Sequence, residues 1–255
     1  MIYPLLGTIA SRSRQAGMFA LQSLIAVLLL LIVSCGGADT PKTSVPARTN
    51  ANTASAELEM SGVYAVTGSG ENGVNPYEGI LNVTNQEDVY LFKWQTTRPK
   101  PGGVGVQMGD AVAVTYADAT NGKGCGVALY KIAPDGSLDG KIARWGEFKF
   151  GTEKALRIEG EKFEGKYRMT GTANDGKSYE GTIEVEKNGG GYQFTWRTGK
   201  DFVGFGIWRG DRAAISFGGR QCSFALYKVM SARSLEGHWG GQRDVVFGTE
   251  TAKRQ

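Results

Sequence analysis

Gly62-Val63-Tyr64-Ala65-Val66-Thr67-Gly68 returns further along the chain as Gly165-Lys166-Tyr167-Arg168-Met169-Thr170-Gly171. The echo continues beyond this stretch. Tyr77-Glu78-Gly79 matches Tyr179-Glu180-Gly181, Trp94 matches Trp196, and Gly109-Asp110 matches Gly210-Asp211. Cys125 and Cys222 each precede, with two residues between, a shared Ala-Leu-Tyr-Lys at 128–131 and 225–228. Phe150-Gly151-Thr152-Glu153 matches Phe247-Gly248-Thr249-Glu250. The matches keep their order while their spacing drifts, so the differences in length fall in loops. The chain therefore carries one unit twice, over residues 58–155 and 161–252, each copy long enough to be a small domain rather than a solenoid repeat.

Within a copy the apolar period is two. Tyr179, Gly181, Ile183 and Val185 alternate with Glu180, Thr182, Glu184 and Glu186, and Tyr192, Phe194 and Trp196 alternate with Gln193, Thr195 and Arg197. This is the pattern of strands with one face inward and one in solvent. Asn174-Asp175-Gly176, Lys187-Asn188-Gly189-Gly190 and Pro134-Asp135-Gly136 supply turn chemistry between them. The chain's 38 glycines with only 7 prolines fit a turn-rich β protein. Six or seven short strands per copy predict an all-β chain of two tandem small antiparallel meander barrels, lipocalin-like or avidin-like in general shape. A single larger barrel with a pseudo-two-fold axis is the alternative. Gly79 and Gly181 fall on the inward face, where a missing side chain permits sharp coiling or close approach of a neighbour.

The first 34 residues read differently. Arg12 and Arg14 precede an apolar run, Met18 to Val33, which ends at Ile32-Val33-Ser34-Cys35-Gly36. A basic start, a short apolar core and small residues before a cysteine are the pattern of a bacterial lipoprotein signal peptide, 1–34, with Cys35 as the acceptor of the lipid. Several acyl chains together anchor stably where one alone is marginal. Gly36 after the cysteine, rather than Asp, points to the outer membrane of a Gram-negative envelope. Residues 35–57 then form a lipidated cysteine and a flexible tether, which as a coil holds the body about 25 Å from the lipid on average. The net charge is +4, of which the two arginines of 1–34 supply half, leaving +2 with acids and bases interspersed. No clustered basic stripe of the kind that binds nucleic acid is present.

Candidate chemistry is sparse. His238 is the chain's one histidine and its counterpart is Lys141, so neither a zinc site nor a catalytic triad recurs; no metal, cofactor or enzymatic activity is expected. Cys125 and Cys222, the two cysteines left after Cys35, occupy equivalent positions. They either meet in a disulfide across a pseudo-two-fold axis or sit apart as small buried hydrophobes. Tyr90, Phe92 and Trp94, with their counterparts Tyr192, Phe194 and Trp196, either line a cavity for a small apolar ligand or fill the core. A barrel this small favours filling. Trp208 corresponds to Gln107, so any cavity would differ between copies. The shared acids Glu78/Glu180 and Glu153/Glu250 read as structural signatures, a strand start and a chain end tucked against a barrel mouth, rather than as an acid–base pair.

The series Tyr-x-x-Thr-Gly, Tyr-Glu-Gly, aromatic-x-Trp, Gly-x-Gly, Gly-Asp, Ala-Leu-Tyr-Lys, Leu-acid-Gly and Gly-Thr-Glu resembles small exported bacterial β-proteins, often tandem, that carry the label "fibronectin-binding protein". The likeness covers both copies. It implies adhesion to a host matrix protein and assigns no binding residues; with Cys35 and the sparse candidate chemistry, the expectation is a non-catalytic, envelope-anchored binding module.

Overall fold

The structure, a computed structural model, describes residues 57–97, 102–118, 122–242 and 244–255. The signal segment, Cys35 and the tether up to residue 56 lie outside the described residues. The first copy forms β1 (Gly62–Ser69), β2 (Tyr77–Gln86), β3 (Val89–Thr96), β4 (Gly103–Met108), β5 (Ala111–Tyr116), β6 (Gly126–Ile132), β7 (Leu138–Arg144) and β8 (Gly151–Glu159). The second repeats the series as β9 (Gly165–Thr172), β10 (Ser178–Asn188), β11 (Gly191–Arg197), β12 (Asp201–Arg209), β13 (Arg212–Phe217), β14 (Ser223–Ser231), β15 (Ser234–Gly240) and β16 (Gly248–Arg254).

Each copy thus has eight strands, not six or seven. β4 and β5, like β12 and β13, look like one apolar stretch in sequence. The two-residue turns Gly109-Asp110 and Gly210-Asp211 divide them, with each glycine in the left-handed region (φ +62° and +59°) that such a turn requires. The outer strands follow the expected period: on β9, Tyr167 and Met169 are buried between exposed Lys166, Arg168 and Thr170. At Gly79 and Gly181 a Cβ would lie 2.2 and 2.1 Å from the carbonyl oxygens of Gln95 and Arg197, so the neighbouring strand passes where a side chain would stand.

The strands close into two eight-stranded antiparallel barrels, which excludes the single larger barrel. The barrels do not coincide with the copies. Around the first the order is β1-β16-β15-β14-β5-β4-β3-β2, and around the second β9-β8-β7-β6-β13-β12-β11-β10. Each barrel takes five strands from one copy and the last three from the other. The exchange happens between β5 and β6 and between β13 and β14. β5 pairs with β14 (Ala113 opposite Leu226), and β13 pairs with β6 (Ala214 opposite Leu129), in equivalent registers.

This arrangement explains why the middle strands lose their alternation. Every residue of β5 is buried, and so are the first five of β6. Val112, Val114 and Tyr116 face the first barrel's core, whereas Ala111 and Ala113 join Val104, Val106, Val127, Leu129, Phe205 and Leu226 in an apolar seam between the barrels. Strands covered on both faces read as continuous apolar runs. Within the seam Thr115 Oγ1 hydrogen-bonds Ser216 Oγ, its own counterpart. Nearby, Cys125 and Cys222 form a disulfide with a Cα–Cα distance of 5.6 Å. A residue bonded to its own equivalent must lie on the symmetry axis, so these two contacts mark the pseudo-two-fold.

Candidate functional site

Inside each barrel is a buried carboxylate. Glu250 on β16 is 2 % exposed and Glu153 on β8 is 1 % exposed. Both occupy inward positions, flanked along the strand by buried Gly248 and Ala252 or Gly151 and Ala155. In the first barrel Glu250 Oε1 accepts from Tyr227 Oη (2.6 Å) and Trp94 Nε1 (2.9 Å), and Oε2 accepts from Tyr77 Oη (2.6 Å). In the second, Glu153 Oε2 accepts from Tyr130 Oη and from Trp196 Nε1 (3.3 Å), and Oε1 accepts from Tyr179 Oη (2.7 Å). The two centres are the same device built twice, and each is composite. Glu250 and Tyr227 come from the second copy but Tyr77 and Trp94 from the first. Conversely, Glu153 and Tyr130 come from the first copy but Tyr179 and Trp196 from the second.

Repeated glycines make the room. A Cβ at Gly68 or Gly171 would lie 2.4 Å from the Cζ of Tyr77 or Tyr179, and one at Gly140 or Gly237 would lie 2.4 or 2.5 Å from the ring of Tyr130 or Tyr227. The Thr-Gly and acid-Gly motifs of the repeat thus exist to seat the tyrosines.

A buried carboxylate is tolerated when hydrogen bonds replace its lost water, and three donors supply most of its accepting capacity. The phenols remain protonated donors: burial first, and then the adjacent Glu153 charge, push the Tyr130 pKa well above its usual range, and burial followed by Glu250 does the same to Tyr227. For Glu153, burial raises the pKa above its ordinary 4.5, against the pull of Tyr130, Tyr179 and Trp196. A carboxyl with a raised folded-state pKa stabilises the fold most below pH 4.5 and loses that contribution as pH rises through its folded-state value. Glu153→Gln, which cannot ionise, is therefore expected to flatten this segment of the stability profile. Urea midpoints at pH 4.5 and at neutrality measure the effect; an unchanged difference between the two pH values in the variant would contradict it.

The stripes predicted from sequence are core. Tyr90, Phe92 and Trp94 are buried in the first barrel, and Phe194 and Trp196 in the second, with Tyr192 and Trp208 partly buried against it. Rings occupy the interior in chains of contact: Phe92–Trp94 at 5.7 Å and Trp94–Tyr116 at 5.5 Å, Phe194–Trp196 at 5.4 Å and Trp196–Phe202 at 4.7 Å. One end of each barrel is closed by the residue four before a repeated tyrosine. Met60 and Phe163 are both buried, and their carbonyls accept from Tyr64 Oη and Tyr167 Oη at 2.7 Å. Trp208 and Gln107 play one part with different side chains, Trp208 Nε1 donating to Gly210 O (2.7 Å) and Gln107 Nε2 to Gly109 O (3.1 Å).

Glu78 and Glu180 point outward and are exposed, so they form no pair with Glu153 or Glu250. The period of β8 and β16 turns the latter two into the core. The sequence signals their tyrosine partners only through the recurrence of Tyr-Glu-Gly and Ala-Leu-Tyr-Lys. Among the described residues no three His, Cys, Asp or Glu side chains gather as metal ligands. A groove of about 550 Å³ runs outside the barrels, between the outer faces of β14–β16 and the β12–β13 turn, with His238, Arg209 and Arg212 on its walls, and a smaller hollow of about 230 Å³ lies at one end of the second barrel against Ile142, Tyr179 and Phe202. Comparison with protein-family models, with curated proteins and with solved structures returns no match.

Proposed function

We propose that this chain is an exported lipoprotein, held at the bacterial cell envelope through Cys35, that works as a non-catalytic binding module and meets its partner on its outer surface. The observation that carries this reading is the filling of both barrels. Aromatic rings and a hydrogen-bonded carboxylate take the space that a small apolar ligand would need, whereas the seam between the barrels opens into an exterior groove. The Cys125–Cys222 disulfide supports export, because such bonds persist on the oxidising side of the membrane. The resemblance of the repeat makes fibronectin the first host matrix protein to try, alongside envelope proteins.

Two measurements test the two halves of the reading. The lipid-free chain from Gly36 onward, immobilised, is expected to bind a matrix or envelope protein saturably, and an absence of saturable binding across such a panel would end the adhesion reading. In cells, the intact chain is expected to label with palmitate and to sediment with membranes. Cys35→Ser should lose the label and move to the soluble fraction. A variant that stays lipid-labelled and membrane-bound would overturn the anchor.

A further inference from the structure

The pseudo-two-fold axis makes two grooves at the seam, and the chain itself fills one. There Lys141 on β7 reaches across to the N-terminal segment: its Nζ lies 2.8 Å from Glu57 Oε1 and donates to Gln107 O at 2.7 Å. Gln107 Nε2 donates in turn to Leu58 O at 3.2 Å. A lysine thus holds the carboxylate of an extended segment while an amide holds its backbone. On the opposite side, His238 stands where Lys141 stands and Trp208 where Gln107 stands. Gly160 and Glu161, the counterparts of Glu57 and Leu58 region, are held in the connection from β8 to β9, and this second groove is open.

The charges of the open groove leave one cation, Arg209, and a neighbouring imidazole, His238, for a ligand. Arg212 is flanked by Asp211 and, at 3.7 Å, by Asp110. Lys228 and Glu236 stand opposite each other in the β14–β15 register. Arg209 pairs with no carboxylate among the described residues; its Nη1 donates to the carbonyl of Trp208 at 3.0 Å, the equivalent of the carbonyl that Lys141 binds. His238 is half-buried beside it, and burial, then the Arg209 charge, hold its pKa below the usual value. A neighbouring carboxylate would relieve the second of these effects.

We infer that the open groove captures an acidic side chain from an extended segment of a partner protein, with Arg209 and His238 taking the carboxylate that Lys141 takes from Glu57 on the other side. This rests on the reading of the chain as a surface-binding module and names the chemistry that such a partner presents. An extended segment laid beside strands and fixed by alternate side chains is a general mode of peptide recognition.

His238 gives the chain a single imidazole signal, so proton NMR of the chain from Gly36 onward reads the groove directly. The probe is the peptide Ala-Glu-Leu-Glu-Met-Ser, the sequence of residues 56–61. Added peptide is expected to shift the imidazole signal saturably and to raise its titration midpoint. Replacing both peptide glutamates by glutamine, or Arg209→Ala in the protein, is expected to weaken binding about tenfold, as loss of a charge-assisted hydrogen bond does. No shift, or equal binding by the glutamine peptide or by Arg209→Ala, would overturn the inference. A concentration-dependent shift without peptide that Glu57→Gln abolishes would place the tether of a second copy in the groove, and would overturn it too. Capture of a matrix or envelope protein that survives Arg209→Ala would remove the groove as the site and leave the surface-binding reading standing.

Discussion

Residues 57–159, produced without the second copy, are expected to purify as a dimer rather than as a closed monomeric barrel. In the intact chain β5 and β6 belong to different barrels, and the partners they use, β14 and β13, are the equivalents of β6 and β5 themselves. Two identical copies can therefore rebuild both barrels by trading their last three strands, the general route of strand exchange between protomers. A monomer would have to fold residues 117–125 back on themselves and leave the seam uncovered. Val104, Val106, Val127 and Leu129, fully buried in the whole chain, would then face water at about 1.5–3 kcal/mol each. The dimer is expected to elute at twice the chain mass and to melt at a temperature that rises with concentration. Because Cys125 lies on the axis, oxidation should link the two chains through it. Exchange is separated from simple docking by Ala113→Cys with Leu129→Cys in a Cys125→Ser background. The new bond joins two chains if the strands are traded and closes within one chain if they are not. A monomer at micromolar concentration, or a bond confined to single chains, would refute the expectation.

Replacing Cys125 and Cys222 together by serine is expected to destabilise the whole chain by about 3 kcal/mol and to lower Tm by roughly 6–12 °C. The bridge closes a span of 97 residues, and a cross-link over so long a loop restricts the unfolded chain strongly. It also joins the two connections through which the strands are exchanged, and there it packs against buried Ala117. Dithiothreitol should cause a similar loss in the parent and none in the double variant. A Tm change under about 2 °C in both comparisons would mean that the seam alone sets the stability.

The repeat and its period of two made both the barrels and their number of copies legible, and the turn residues placed most strand ends. The exchange of strands was not legible. Ala-Leu-Tyr-Lys on β6 is identical to Ala-Leu-Tyr-Lys on β14, so either strand satisfies β5 equally, and the choice depends on the connections and on the seam. A hint did exist: Gly-Val-Gly-Val at 103–106 and Ala-Val-Ala-Val at 111–114 lack polar alternates, which is the pattern of strands covered on both faces. Glu153 and Glu250 were visible as shared acids, but a motif near the end of each copy reads as an edge. Extending the alternation from Phe150 through Ala155 puts Glu153 in phase with Gly151 and Ala155, on the inside. The groove had no local signature, since three strands and the β4–β5 turn of one barrel and the β12–β13 turn of the other make it. His238 against Lys141 showed only that the copies had diverged there.

The traded strands also change what a cut backbone means. Glu161 and Lys162, in the connection between the copies, are exposed to solvent and so within reach of a protease. In two independent domains a cut there would set one of them adrift. In this chain each fragment would still own three staves of one cask and five of the other, so neither could leave without dismantling both. The connection between the copies is therefore dispensable once folding is complete, and whatever holds the first fragment in place continues to hold the second.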